Sequence, residues 1–168
     1  MTQVSDKYRQ SRTRQAPDAI AFKALLEAGH AFADLSGTAV LKHFRKPIAV
    51  QNKLESGFDP VTAADKSAER AIAKALKARF PGHALVGEEY GTVNDGARYR
   101  WIVDPIDGTR AFIMGSPLWG TLIGLLDGDT PVLGVMDQPF TGERFWSGEK
   151  TSHMRRGTGK AVALKTRA

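Results

Sequence analysis

Trp101-Ile102-Val103-Asp104-Pro105-Ile106-Asp107-Gly108-Thr109 carries more chemistry than any other stretch of the sequence. An apolar run delivers two aspartates, three residues apart, into a turn stiffened by a proline that fixes φ and removes a backbone donor. Gly108 lets the backbone come close to a ligand. Residues 109–113 can open a helix whose first N–H groups would bind phosphate. Glu88 and Glu89 close an earlier short apolar run, and Asp65 falls in the first turn of a helix. These five carboxylates sit at element ends on a chain of net charge +6. Two carboxylates 4 Å apart repel by about 4 kcal/mol at an effective dielectric of 20, so a cluster needs something to offset it. The donors are all oxygen, with no cysteine and no histidine nearby. Such a set suits a hard cation, Mg2+ in particular, held by few carboxylates plus waters and a substrate phosphate. Separate solvated turn residues are the other reading, because Asp-Pro, Asp-Gly and Glu-Glu are ordinary at turns.

The composition sets outer bounds. The chain has 168 residues, 24 Lys+Arg against 18 Asp+Glu, 42% hydrophobic and 25% charged residues. That is an ordinary globular composition for one domain or a little more, and not that of a disordered, collagen-like or coiled-coil chain. The absence of cysteine excludes disulfide scaffolds, Cys-zinc sites, iron–sulfur clusters and thiol nucleophiles. No apolar run approaches the roughly 20 residues that span a bilayer. The start, MTQVSDKYRQSRTRQ, lacks the apolar core of a secretory signal. The expectation is a cytoplasmic protein with no membrane partner. The positive surplus suits an anionic substrate, nucleic acid or plain solubility alike.

The elements that must position the carboxylates follow from pattern. Residues 1–16, basic and almost without apolar side chains, read as a flexible arm. Pro17 and Asp18 suit a helix start, and helix-like apolar spacing runs from Ile20 to Phe44, ended by Pro47. Gly29 and Gly37 weaken that helix but permit close packing. Residues 48–54 read as a short strand and Ser56–Pro60 as a turn. A second helix is predicted from Thr62 to Phe80, with Thr62 and Asp65 as a variant capping box. Ala64, Ala68, Ile72, Ala75, Leu76 and Phe80 line its apolar face; Lys66, Glu69, Arg70, Lys74 and Lys77 lie off it. Strands are predicted at 84–86, 99–103, 118–126, 131–137 and 144–146, with turns at Asn94-Asp95-Gly96 and Asp127-Gly128-Asp129. The fold class is α+β, with two N-terminal helices packed on a mostly antiparallel sheet. The domain is expected over 17–148. The remainder, 149–168, reads as a tail or the start of a further domain.

Three other patterns invite chemistry and are better explained otherwise. Asp127-Gly128-Asp129 imitates a nucleophilic D-x-D box, but Pro131 stands where Thr or Val belongs, and a hairpin turn accounts for it. Gly157-Thr158-Gly159-Lys160 lacks the first glycine and the final hydroxyl of a phosphate loop. Arg155, Arg156, Lys160 and Lys165 have no aromatic residues interleaved, so a solvated face is favoured over a nucleic-acid surface. His30 and His43 have no second ligand at matched spacing and read as structural.

Gly87-Glu88-Glu89 followed by Trp101-Ile102-Val103-Asp104-Pro105-Ile106-Asp107-Gly108-Thr109 resembles the inositol monophosphatase family, the lithium-sensitive, magnesium-dependent phosphatases. Asp59-Pro60-Val61-Thr62-Ala63-Ala64-Asp65 resembles the family's segment before its second helix. Arg110-Ala111-Phe112, Pro117-Leu118-Trp119-Gly120-Thr121 and Asp137-Gln138-Pro139 with Thr141-Gly142-Glu143-Arg144 resemble its histidinol-phosphatase branch, which serves histidine biosynthesis. The resemblance runs from about Ala19 to Trp146.

It implies the N-terminal part of a layered αβαβα sugar-phosphatase fold. It also implies roles. Glu88 would bind metal, Asp104 would bridge metals, Ile106 would offer a backbone carbonyl, and Asp107 would bind a second metal. Asp107 would also face the phosphate, and the Gly108 and Thr109 amides would hold it. The Thr109 hydroxyl with Asp65 would orient the attacking water, beside Glu88. Glu89 has no implied role. The cofactor would be two or more Mg2+, with Mn2+ able to substitute. The substrate would be a small phosphate monoester, histidinol phosphate first and inositol monophosphate next, and a homodimer is the implied assembly. The family's second half carries a W-D-x-A motif whose aspartate completes the second metal site. These 168 residues contain no such motif. The expectation is therefore a phosphomonoesterase site short of one carboxylate, with a non-catalytic metal- and phosphate-binding fragment as the alternative.

Overall fold

The computed structural model describes residues 19–52 and 60–165. The expected basic arm, the helix start at Pro17 and Asp18, and the Ser56–Asp59 part of the expected turn lie outside the described residues. In chain order the elements are α1 (Ala19–Val40), β1 (Val50–Asn52), β2 (Pro60–Thr62), α2 (Ala63–Arg79), β3 (Ala84–Gly87), β4 (Gly91–Val93) and β5 (Tyr99–Asp107). Then come α3 (Thr109–Ile113), β6 (Gly120–Asp127), β7 (Thr130–Gln138), β8 (Glu143–Ser147), β9 (Ser152–Arg156) and β10 (Val162–Ala163). Eight strands form one sheet in the order β10-β9-β8-β7-β6-β5-β3-β4, and β1 pairs with β2 apart from it. The fold is α+β, as the pattern predicts. Among the described residues every pairing is antiparallel except that of β3 with β5.

α1 and α2 pack on one face of this sheet. Phe22, Leu25, Phe32, Ile72 and Leu76 from the helices meet Leu85, Trp101, Val103, Ile123, Leu125, Leu133 and Val135 from the strands. Trp101 is wholly buried, and Phe32 meets its ring edge-on with centroids 5.0 Å apart. Removing a ring of that size from a core costs about 3–5 kcal/mol. Gly29 explains itself here, since a Cβ would come within 3.2 Å of the Leu133 and Val135 side chains. A second cluster of Val40, Phe44, Ala64, Ala68, Ile106, Phe112 and Trp119 lies under α3. Val103 belongs to the first cluster and Ile106 to the second, so the Asp104-Pro105 step spans the join between them.

α2 starts where the pattern puts it. Thr62 is the N-cap in extended geometry, its Oγ1 accepting the Ala64 N–H, while Asp65 returns a carboxylate to the Thr62 N–H at 2.8 Å. One residue of α2 departs from expectation. Glu69, placed off the apolar face, is 1% exposed. Its carboxylate is satisfied by two backbone amides of the β3–β4 turn, which explains how a charge can sit there.

Three further differences have plain causes. β5 continues past Val103 to Asp107, because pairing with β6 resumes at Asp107↔Gly120 after a register shift. Strands β2, β4 and β9 were not predicted: two are three residues long and β9 is polar, so none shows an apolar alternation. The sheet also runs through the boundary expected at 148, since β9 pairs with β8 from Glu143↔Arg156 to Ser147↔Ser152.

Arg144 on β8 ties α1 to the sheet. Its Nε donates to Asp137 at 2.7 Å, Nη2 to Asp34 at 2.7 Å, and Nη1 to the His30 carbonyl at 3.3 Å. Both Arg144 and Asp137 side chains are 8% exposed. Arg144→Ala leaves Asp137 buried without its cation and is expected to lower the unfolding free energy by about 3–5 kcal/mol in urea titrations. Replacing both together, Asp137→Leu with Arg144→Met, is expected to recover most of that loss.

Candidate metal and phosphate site

The parallel register of β3 on β5 ends at Gly87↔Val103. The next residues along are Glu88 and Asp104, so two strands running the same way bring these two acids to the same sheet end. β4 then pairs back with Gly87↔Gly91, which makes Glu88-Glu89-Tyr90 the turn of a hairpin. Asp104 lies within hydrogen-bonding reach of Glu88 and also feels the charge of Asp107. Burial first, then Glu88 and Asp107, push the Asp104 carboxyl up to about 7. Burial also raises the pKa of Asp65, hydrogen bonds from Thr62 oppose the rise, and the charge of Glu88 adds to it. Acids from α2, the β3–β4 turn and β5 therefore share one electrostatic neighbourhood.

The step between the two aspartates is held from several sides. Asp104 Oδ1 accepts the Ile106 N–H at 3.0 Å. Pro105 offers no N–H, and its carbonyl accepts the Thr121 hydroxyl at 2.8 Å. Thr121 Oγ1 in turn lies 2.8 Å from Ser36 Oγ on α1, both residues being fully buried. The Ile106 side chain is 1% exposed in the second cluster, and its carbonyl accepts the Thr109 hydroxyl at 3.1 Å. Gly108 follows with φ 90° and ψ 38° and opens α3. A Cβ at Gly108 would lie 2.8 Å from the Leu118 carbonyl, so the position requires glycine both in conformation and in space.

The residues expected at the site thus fall into two sets. Glu88, Asp104, Asp107 and Asp65 are coupled by charge, and Ile106, Gly108 and Thr109 follow Asp104 around one turn. Asp59 lies outside the described residues. Ser36, Thr121 and Glu69 were not singled out as support for the site; their roles depend on partners 85, 16 and 20 or 21 residues away, and local spacing carries no signal of that.

Among the described residues, no three acidic or histidine side chains close around a single point. What converges is a pair, Glu88 and Asp104, with Asp107 as a charged neighbour and the Ile106 carbonyl on the same turn. Mg2+ asks for only one or two carboxylates alongside waters and phosphate. A half-buried carboxyl held up to about 7 by burial first and by the neighbouring acids Glu88 and Asp107 next is one that a hard cation would relieve. The residues present fit such an ion.

The other patterns resolve as structure. Asp127 accepts from Arg98 Nη2 at 2.7 Å and Asp129 from Arg100 Nη2 at 2.9 Å, at the β6–β7 hairpin turn. Gly157–Lys160 connects β9 to β10. His30 packs edge-on against Trp146 at 4.9 Å, and burial lowers its pKa. A groove of about 440 Å³ lies elsewhere, against α1, and includes Asp34, Asp137, Arg144 and Arg155. Its acids are the ones already paired with Arg144, so it carries no comparable chemistry. No helix among the described residues is long and apolar enough to cross a membrane.

Two outcomes test this geometry. Asp104 titrates near 3.8 when exposed and near 7 in the fold, so between those values the folded state holds an extra proton. Its contribution therefore weakens the fold as pH rises toward and through 7. In EDTA the urea midpoint should be lower at pH 8 than at pH 5, the drop should shrink in Asp104→Asn, and millimolar Mg2+ or Mn2+ should reverse it in the unaltered chain. Thr121→Val leaves the Pro105 carbonyl and Ser36 hydroxyl without their shared partner. It should cost about 1–3 kcal/mol in the same titration.

The inositol monophosphatase family model matches residues 23–166. The chain is 39% identical over 153 residues to the bifunctional phosphatase IMPL2, chloroplastic, of Arabidopsis thaliana, covering 88% of this chain and 43% of that protein. It is 38% identical over 130 residues to the histidinol-phosphatase of Streptomyces coelicolor, covering 74% and 47%. Among solved structures, an inositol monophosphatase from Zymomonas mobilis superposes with a TM-score of 0.71 at 33% identity, over 88% of this chain and 55% of that one. The chain spans about half the length of the relatives it matches. A family match over most of the chain, a sheet and helix arrangement shared with its solved members, and the strand-end carboxylates together place this protein in the inositol monophosphatase family.

Proposed function

We propose that these residues form the metal- and phosphate-binding part of a Mg2+-dependent phosphomonoesterase acting on a small phosphate monoester. Histidinol phosphate is the first choice of substrate and inositol monophosphate the second. The observation that carries the reading is the Gly87↔Val103 register, which brings Glu88 to Asp104 at one end of the sheet. Glu88, Asp104, Asp107 and the Ile106 carbonyl would hold divalent cations. When bound, such ions lower the pKa of a water and neutralise charge on the phosphate and leaving oxygens. The turn at Gly108 would present its own amide and that of Thr109 to the phosphate. The Thr109 hydroxyl donates its hydrogen bond to the Ile106 carbonyl, which leaves its lone pairs to accept a hydrogen bond from a water. Asp65 would receive the other side of that water, its position fixed by the α2 cap. The relatives' names include both histidinol and inositol phosphatases, and the histidinol preference rests on the Trp119-Gly120-Thr121 and Asp137-Gln138-Pro139 segments.

The second reading is a metal- and phosphate-binding fragment without turnover, favoured by one observation: the chain spans about half of each relative described above. Phosphate release from histidinol phosphate and from inositol monophosphate, with and without Mg2+, decides between them. Turnover that depends on Mg2+ upholds the enzyme. Mn2+ binding without release from either substrate selects the fragment. In the enzyme, Asp104→Asn is expected to reduce turnover at least about 10²-fold, the scale seen when one preorganised electrostatic group is removed. Asp127→Asn, at the exposed hairpin, is expected to leave turnover unchanged. Lithium should compete with one of the magnesium ions. Loss of activity in Asp127→Asn but not in Asp104→Asn would overturn the proposal.

A further inference from the structure

Glu69 is a buried carboxylate for which neither the helix pattern nor the site roles above give a use. It sits on the second turn of α2, 1% exposed, and its two oxygens accept the N–H groups of Glu89 at 2.8 Å and Tyr90 at 3.0 Å. Those amides directly follow Glu88. Gly87, directly before Glu88, has no room for a side chain, since a Cβ there would lie 1.9 Å from Glu69 Oε1. The carboxylate therefore fills the inside of the turn that Glu88 opens, touching the backbone on both sides of Glu88. The neighbouring residue, Arg70, makes an outer and exposed tie, donating from Nη1 to the Tyr90 hydroxyl at 2.5 Å.

We infer that Glu69 is a positioning residue: it clamps the β3–β4 turn from α2 and so sets the Glu88 carboxylate against Asp104. This rests on the metal reading proposed above. Glu88 and Asp104 repel when both are charged, and Glu88 is exposed at a three-residue turn. Left to itself, such a turn would swing its carboxylate into solvent. A carboxylate accepting two amides is a charge-assisted clamp, short and directional. It acts on the backbone of the turn, through the Glu89 and Tyr90 amides. Groups of this kind, one step behind a ligand, typically govern metal affinity by about 10–100-fold.

The test measures Mn2+ affinity by calorimetry and the exchange rates of the Glu89 and Tyr90 amides by NMR. The unaltered chain is compared with Glu69→Gln, Gly87→Ala and Arg70→Ala. Glu69→Gln keeps the shape but turns an NH2 group toward one of the two amides. The expected result is a Kd for Mn2+ weakened at least about tenfold and faster exchange at both amides, with the near-ultraviolet signal of buried Trp101 unchanged. Gly87→Ala displaces the same carboxylate without removing its charge, and should weaken binding similarly should Glu69→Gln fail to fold. Adding Glu69→Ala to Gly87→Ala makes room for the methyl group and should restore stability but not affinity. Arg70→Ala should leave the Kd within twofold. A Kd unchanged in both Glu69→Gln and Gly87→Ala overturns the inference, and so does an equal loss in Arg70→Ala, which would mark general ordering of the turn. If the unaltered chain binds no Mn2+ at millimolar concentration, the metal reading fails, and exchange alone decides the clamp. Accelerated Glu89 and Tyr90 amides uphold it and unaltered ones overturn it.

Discussion

One parallel strand pair among seven pairings in the main sheet organises this molecule. Antiparallel neighbours place the end of one strand beside the start of the next, so two strand-end acids in succession would finish at opposite edges. β3 and β5 run the same way, and their register stops at Gly87↔Val103, so Glu88 and Asp104 leave the sheet together. Parallel pairing requires the chain to return to the starting edge between the two strands. Here β4 and the segment up to Arg98 make that return, with β4 adding itself outside β3.

Bringing like charges together is unfavourable, and the rest of the structure can be understood as what holds them there. The hydrophobic clusters on either side of Asp104 fix the strand and α3 independently of the acids. Between them, a chain of hydroxyls from Ser36 through Thr121 to the Pro105 carbonyl fastens the turn to α1. On the other strand, the Glu69 carboxylate fastens the turn that carries Glu88 to α2. Each helix thus anchors one side of the carboxylate pair. The cap of α2 contributes Asp65, whose burial and nearness to Glu88 draw it into the same electrostatic unit. Within that unit, burial first and then Glu88 and Asp107 push the Asp104 carboxyl up to about 7.

Membership of the inositol monophosphatase family and the strand-end geometry support each other, but they operate at different levels. The family match speaks for the fold and for a phosphatase lineage. The geometry speaks for the meeting of Glu88 and Asp104 at one end of the sheet, on which the proposed cation site rests. About half of each matched relative has no counterpart in this chain.

The sequence by itself determined the local matters. The Thr62–Asp65 cap, the apolar face of α2, the β6–β7 hairpin at Gly128-Asp129 and the Gly108 turn into α3 each follow from neighbours within a few positions, where propensity and spacing act directly. For the same reason the candidate acids were legible as residue types. Their convergence was not legible from spacing, and entered only as what the family resemblance implies. Which two strand ends meet is set by the pairing of β3 with β5, and nothing in either strand alone encodes its direction relative to the other. Glu69 shows the limit most clearly. By helical spacing it belongs with the solvated lysines and arginines of α2, yet two amides 20 and 21 residues away make its burial tolerable. Thr121 likewise was visible as part of a motif, while its bonds to Pro105 and Ser36 were not. A buried polar group is stable only through partners that tertiary packing supplies. Hence the sequence named the groups capable of chemistry, and the tertiary structure alone decided which of them act together and what holds them in place.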